Sequence, residues 1–247
     1  MVQSTLVRPV TRSLCVLLLG APLPSQSVQD VKTPPKRDRV PVETEACRRA
    51  LVKLSARHRD AKIITASYRQ ERTTALLKRP LISTGTLALR KDPACMIFRT
   101  AGKHPTTIRL TYESYEVLRA SRKTLERTPL LDRSLPDALF QAMAPQLQRL
   151  EKSFVIVESW RLGEALGIRL RPRKKASEFV QDITLVIDEK RNELRRVAYR
   201  DPQGDQISLI LSELHLDPKL PKTAFELVIP DGTRVLVHKP PKKKPTK

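Results

Sequence analysis

The chain has 247 residues, with 47 Lys or Arg against 26 Asp or Glu, for a formal charge of +21. That length allows one domain with a sizeable core, and an aromatic content of 4% makes the core mostly Leu, Ile and Val. The charge favours acidic partners such as an anionic membrane surface, but Lys and Arg are spread along the chain instead of gathered in one arm, which argues against nucleic acid and equally fits a plain solvated surface.

The N-terminus reads as an export signal. Arg8 and Arg12 form a basic region, and Leu14 to Leu23 is an apolar run too short to span a bilayer. Ser25-x-Ser27 follows as a cleavage site, so residues 1–27 are expected to be removed and the mature protein to be soluble and periplasmic. Cys15 opens the apolar run instead of following it, and so does not read as a lipidated cysteine. Residues 28–42 are Pro-rich and charged and read as an extended linker. The folded domain is expected over 43–238, and the Lys/Pro run 239–247 as a disordered tail.

The first helix is expected from Glu43 to His58. Cys47, Ala50, Leu51, Leu54 and His58 share one face, and Arg48, Arg49, Lys53 and Arg57 cover the other. Strands follow over Ile63–Glu71, Leu81–Arg90 and Cys95–Arg99, with a turn at Asp92-Pro93. In the middle strand Leu81, Ser83, Gly85, Leu87 and Leu89 point one way, and in the next Met96 and Phe98 share a face. A Gly inside such a strand marks a bend, so this stretch predicts a curled antiparallel sheet with an apolar concave side. Such a side is either plugged by a helix as an ordinary core or left to hold an apolar ligand. In an exported chain Cys47 and Cys95 also have two readings, a disulfide stapling the first helix to the sheet or two buried thiols.

Thr106–Tyr112 and Tyr115–Arg119 read as a strand pair, and Ser121–Arg133 as a loop. Ser134-Leu-Pro-Asp137 resembles a capping box and opens a second helix with a Leu135, Leu139, Ala142, Met143, Leu147, Leu150 stripe. Pro145 is expected to kink or split it. The second half reads as strands at Phe154–Trp160, Leu166–Arg171, Ile183–Ile187, Leu194–Arg200, Ile207–His215 and Phe225–Ile229. Catalytic patterns are missing. His58, His104, His215 and His238 are scattered, Asp188-Glu189 sits in a polar turn, and there is no HExxH, G-x-S-x-G, phosphate loop or CxxC. No enzyme activity, cofactor or metal is expected.

Several short segments then line up in order. Ala66-x-Tyr68-x-Gln70, Ser83-x-Gly85-x-Leu87, Lys91-Asp92-Pro93 with Met96 and Phe98, Leu170-x-Pro172, the turns at Ile187-Asp188 and Asp201-x-x-Gly204, and Phe225-x4-Pro230-x-Gly232-x2-Val235 occur at matching spacing. From Cys47 to Val237 the chain resembles the LolA-like family of periplasmic outer-membrane lipoprotein carriers. The resemblance implies an α+β fold, an unclosed antiparallel β-barrel with a helical lid over an apolar cavity. It implies a monomeric carrier of lipoprotein acyl chains or other lipid, loaded by an inner-membrane ABC transporter and unloaded by an outer-membrane acceptor. The cavity would be lined by Tyr68, Leu87, Leu89, Met96, Phe98, Leu139 and Met143. The family's lid-closing arginine aligns with Asp92, which leaves Arg90 and Lys91 as its replacements, and the family's tryptophan aligns with Phe98. A LolA-like sensor or scaffold that binds a protein partner is the alternative.

Overall fold

The computed structural model describes residues 39–74, 79–131, 133–173, 180–201 and 204–239. The expected signal sequence, most of the linker and nearly all of the Lys/Pro tail lie outside them. Strand β1 (Val40–Pro41) precedes helix α1 (Thr44–His58). Then come β2 (Ile63–Thr73), β3 (Leu81–Arg90), β4 (Cys95–Thr100), β5 (Thr106–Thr111), β6 (Ser114–Arg119) and β7 (Thr124–Pro129). Helices α2 (Ser134–Met143) and α3 (Leu147–Ser153) follow. The second half is β8 (Phe154–Leu162), β9 (Ala165–Pro172), β10 (Asp182–Asp188), β11 (Glu193–Arg200), β12 (Gln206–Leu216) and β13 (Arg234–Val237).

Among the described residues these strands form one 13-stranded sheet in the order β1-β8-β9-β10-β11-β12-β2-β3-β4-β5-β6-β7-β13. The end strands β1 and β13 do not pair, so the barrel is unclosed. The expected antiparallel order holds for every pair except β7 and β13, which run parallel, so the sheet is mixed. The two halves of the chain meet at the long β2–β12 ladder, where Tyr68 lies opposite Leu211 and Gln70 opposite Leu209. The chain between β7 and β8 therefore has to travel from one end of the sheet to the other. It does so as α2 and α3, across the concave side.

Alternation decides what the helices cover. In β2 the buried residues are Ile64, Ala66, Tyr68, Gln70 and Arg72, every second position. Ile64, Ala66 and Tyr68 join Leu87, Leu89, Met96 and Leu110 from β3–β5 and Ile168, Leu170, Ile183, Leu185, Val197 and Leu209 from the other half. Cys47, Leu51 and Leu54 of α1, Phe140 and Met143 of α2 and Leu150 of α3 complete the same core. Pro145 ends the second helix early, as expected, so α2 stops at Met143 and α3 starts at Leu147. Arg133, not Ser134, flanks α2 on its N-terminal side, and it gives no side-chain cap.

Three expectations need correction. Residues 121–133 are not all loop, since β7 pairs along its length with β6. Its periodicity is hidden because polar residues occupy both faces. Arg119 donates to Glu126 at 2.5 Å, and Arg127 donates to the buried Glu116 at 2.7 Å. Phe225–Ile229 is no strand. A 3-10 turn over Lys222–Phe225 seats Phe225 on Ala88, Cys95 and Ile97, on the convex side of β3–β4. A turn then follows, with Thr233 N–H donating to Pro230 O and Gly232 at φ 72°, before β13 joins the edge. The last residues of the linker also take part in the sheet, as β1 lies against Arg161 and Trp160. Of the two readings of Cys47 and Cys95 the second holds, since both are buried free thiols. Cys47 belongs to the concave core and Cys95 to the small convex cluster, so the sheet itself separates the two thiols.

At Gly85 the backbone of β4 occupies the place a side chain would take. A Cβ there would lie 2.0 Å from the Arg99 carbonyl oxygen and 2.9 Å from the Thr100 Cα, both backbone atoms. Tyr68, opposite Gly85 in register, reaches across the bare glycine to share a 3.0 Å hydrogen bond with the Thr100 hydroxyl. The glycine thus serves the strand approach and the tyrosine together. Gly85→Ala is expected to lower stability by about 1–3 kcal/mol and the melting temperature by several degrees. Thermal unfolding followed by circular dichroism checks this. An unchanged midpoint would mean that the two backbones are not held so closely.

Candidate functional site

The expected cavity residues come together, but as packed neighbours. Leu87 lies opposite Phe98 and Leu89 opposite Met96 on adjacent strands. Tyr68, Leu87, Leu89, Met96 and Met143 are all buried in the concave core. Phe98 and Leu139 are half-buried against it, beside Tyr112, Tyr115 and Leu130. The Tyr68 and Phe98 rings meet edge to face with centroids 5.7 Å apart. The result is an apolar floor under α1–α3 with a half-open rim at the β4–β7 side.

At that rim α2 is held by aromatic contacts. Phe140 packs on Tyr112 with centroids 5.7 Å apart, and the Arg133 guanidinium stacks 4.7 Å from the same ring. Burial, and then the neighbouring Asp137 carboxylate, push the Tyr112 phenol above its ordinary pKa. Among the described residues no helix is long and apolar enough to cross a membrane, and no cluster of His, Cys, Asp or Glu is placed to hold a metal.

The two candidates for the lid-closing residue do different things. Arg90 turns to the convex side, where its Nε donates to Pro93 O at 3.0 Å and its guanidinium lies 4.8 Å from the Phe225 ring. Lys91 reaches α1. Its Nζ donates to the His58 carbonyl oxygen and, at 3.1 Å, to that of Arg59. These are the orphan acceptors of the helix C-terminus, where a cation is favoured. Burial lowers the Lys91 pKa, and Asp217 and Asp60 oppose that shift. The ammonium therefore ties the last turn of α1 to the β3–β4 turn.

His58 sits at the same place, and by sequence it is only one more member of the helical face. Its side chain is 1% exposed, and neither ring nitrogen has a hydrogen-bond partner. Desolvation, followed by the charges of Lys91 and Arg57, lowers its pKa to about 4. The ring is thus a neutral plug at the foot of α1. The signal for this in the sequence is weak, because a histidine at a core position of a helix looks like any other packed residue.

A profile of the outer membrane lipoprotein carrier protein LolA family matches residues 59–228, about two thirds of the chain. The chain belongs to the LolA family. Solved structures with a similar chain course are distant. A conserved protein from Thermus thermophilus has 11% identity and a TM-score of 0.46, with 78% of this chain and 99% of that one covered. An outer membrane lipoprotein-sorting protein domain from Vibrio parahaemolyticus has 11% identity and a TM-score of 0.42, covering 74% and 97%. MucB in the Pseudomonas aeruginosa MucA/MucB complex has 12% identity and a TM-score of 0.39, covering 74% and 61%. No curated protein sequence matches. The LolA family's closing motif now has a physical account in this chain: Phe225 is the convex anchor, Pro230 and Gly232 make the turn, and Val235 sits in β13 opposite Leu125.

The His58 environment generates a pH prediction. In the unfolded chain the ring takes up a proton below about 6.5, whereas the buried ring resists until about 4. The unfolded state binds more protons in that window, so stability is full above pH 6.5 and falls as pH drops towards 4. The gap between the two values corresponds to about 3 kcal/mol. Urea unfolding of His58→Leu at pH 7.5 and pH 5 should show a smaller loss than wild type. Equal losses in both proteins would take His58 out of the account.

Proposed function

We propose that this LolA-family protein is a periplasmic carrier that shelters acyl chains of lipoprotein, or of another lipid, beneath α1–α3. In this reading it works as an exported monomer, takes its cargo from an inner-membrane ABC transporter and delivers it to an outer-membrane acceptor. The observation that carries the reading is the continuous apolar floor of Tyr68, Leu87, Leu89 and Met96, roofed by three helices. The roof is fastened by a few polar contacts at its ends, such as Lys91 on α1 and Arg133 on Tyr112, and not by strand pairing.

The energetics suit a container that opens. Each methylene moved from water to an apolar surrounding gains about 0.8 kcal/mol, so a single acyl chain outweighs the few contacts at the helix ends. Met143 and Met96 face the same space, and thioether side chains repack readily around a guest. The family membership and the half-open rim at Phe98 and Leu139 support the same reading. The reading needs no chemistry on the cargo, so no catalytic group or cofactor enters it.

A second reading keeps the roof closed. The floor and roof residues fill one another's space, and a packed core of this kind also suits a LolA-like sensor or scaffold that binds a protein partner. Native mass spectrometry of the mature protein from cell envelopes separates the two. Acyl, phospholipid or lipoprotein adducts are expected for the carrier. A clean protein mass that stays clean after incubation with a diacylated lipopeptide would favour the scaffold. Phe98→Glu and Leu139→Glu lie at half-buried positions and should leave the fold intact, as judged by circular dichroism, while removing most of the adduct. Full retention in both would displace the cavity from this rim.

A further inference from the structure

We propose that a ligand enters along the seam between α1 and α3, where Arg48 and its basic neighbours receive an anionic headgroup and the Arg48–Glu151 pair acts as a latch that the headgroup displaces. This rests on the carrier reading and adds the way in and the class of headgroup.

Three neighbouring openings lie along the seam, each sharing lining residues with the next. The first has a volume of about 260 Å³ and lies between Arg48, Glu151 and the floor residues Leu150, Phe154 and Leu170. The second, about 480 Å³, shares Arg48 and Glu151 with it. The third, about 600 Å³, shares Val52 and Leu147 with the second. The floor of the first opening belongs to the concave core itself, since Leu150, Phe154 and Leu170 are members of that cluster. The seam is therefore a groove whose inner end touches the place where an acyl chain would rest. Beside it the β8 edge pairs with β1 only at Trp160 and Arg161, and Val155 is left exposed at 41%.

The rim has one dominant sign. Arg48, Arg49 and Lys53 of α1, Arg59 just after it and Arg149 of α3 line the grooves, against the carboxylates of Glu45 and Glu151. Val52, 49% exposed, lies between the charges. An apolar strip under a basic rim matches an amphiphile with an acyl chain and a phosphate or carboxylate head. It does not match a neutral one.

Glu151 now occupies the anion position. Its Oε1 accepts from Arg48 Nε at 2.7 Å and lies 2.5 Å from the terminal Nη2 of the same guanidinium, so one carboxylate oxygen takes both nitrogens, and a phosphate, with more oxygens, can offer each nitrogen its own acceptor. The pair bridges α1 and α3. Its side chains are 49% and 35% exposed, so water and salt screen it, and it holds the helices only weakly. A doubly charged phosphate competes well for the same guanidinium. Exchange of one anion for another would free α3 from α1 at the moment the chain is presented to the groove.

The test uses the mature protein with dodecyl phosphate and, as the neutral probe, dodecyl maltoside, both below their micelle concentrations, by isothermal titration. Wild type is expected to prefer the phosphate by about tenfold, the scale of one charge-assisted bond. Arg48→Gln should lose most of that preference and leave the maltoside affinity unchanged, whereas Arg122→Gln, which makes the same change of charge outside the groove, should alter neither. Glu151→Gln keeps the arginine and removes the latch, so it should bind the phosphate several-fold more tightly. A dodecyl phosphate with a diazirine at the chain end should label Leu150, Phe154 or Leu170. If both probes bind and neither Arg48→Gln nor Glu151→Gln changes the preference, the seam proposal falls and the carrier reading stands. If neither probe binds wild type, both fall together.

Discussion

A curled sheet with an apolar concave face cannot be left open to water, and the rest of this molecule follows from covering that face. The hydrophobic cost is shared across both halves of the chain, because β2 and β12 join them into one surface. Topology then supplies the cover. β7 and β8 lie towards opposite ends of the sheet, so the connection between them must cross the concave side, and it does so as α2 and α3. Helix α1 comes in ahead of β2 and lays Cys47, Leu51 and Leu54 on the same floor.

The convex side is organised by charge as much as by apolar packing. Glu116 is buried between Arg109 and Arg127, with both arginines donating to it, while Arg119 and Glu126 pair on the other face of the same strands. These cross-strand pairs let β6 and β7 carry polar residues on both faces of the sheet. The chain after β12 crosses this side. Arg99 donates to Ala224 O at 2.7 Å, Phe225 fills the pocket over Ile97, and β13 finishes the edge. One face is thus closed by hydrogen-bonded backbone and ion pairs, and the other by helices that rest on apolar contacts.

That asymmetry bears on function. The sheet is one cooperative hydrogen-bonded unit, whereas the helices have no ladder to the sheet. They are anchored at their ends, by Lys91 at the foot of α1, by Arg57 donating to Glu193 and the Arg191 carbonyl, and by Arg48 with Glu151 across to α3. In the carrier reading proposed above, these helices are the elements that move when an acyl chain covers the floor in their place. His58 adds a neutral, unpartnered ring under one of these anchors, which makes that end of α1 sensitive to acid.

Much of this was legible from local pattern. The period of two in Ile63–Thr73 and Leu81–Arg90, the helical face of Cys47, Leu51 and Leu54 and the break at Pro145 are each set by covalent geometry or by which side chains avoid water, and those act residue by residue. The order of short motifs pointed to the LolA family, and with it the unclosed barrel. What only the tertiary structure decided depends on partners far away in the chain. β7 is a strand because Glu116, Arg119 and His238 meet its charges. Phe225 anchors a turn because Cys95 and Ile97 offer it a pocket. Cys47 and Cys95 stay apart because their elements place them on opposite faces of one sheet. Sequence alone determined which residues must leave water, and the fold decided against which neighbours they do so.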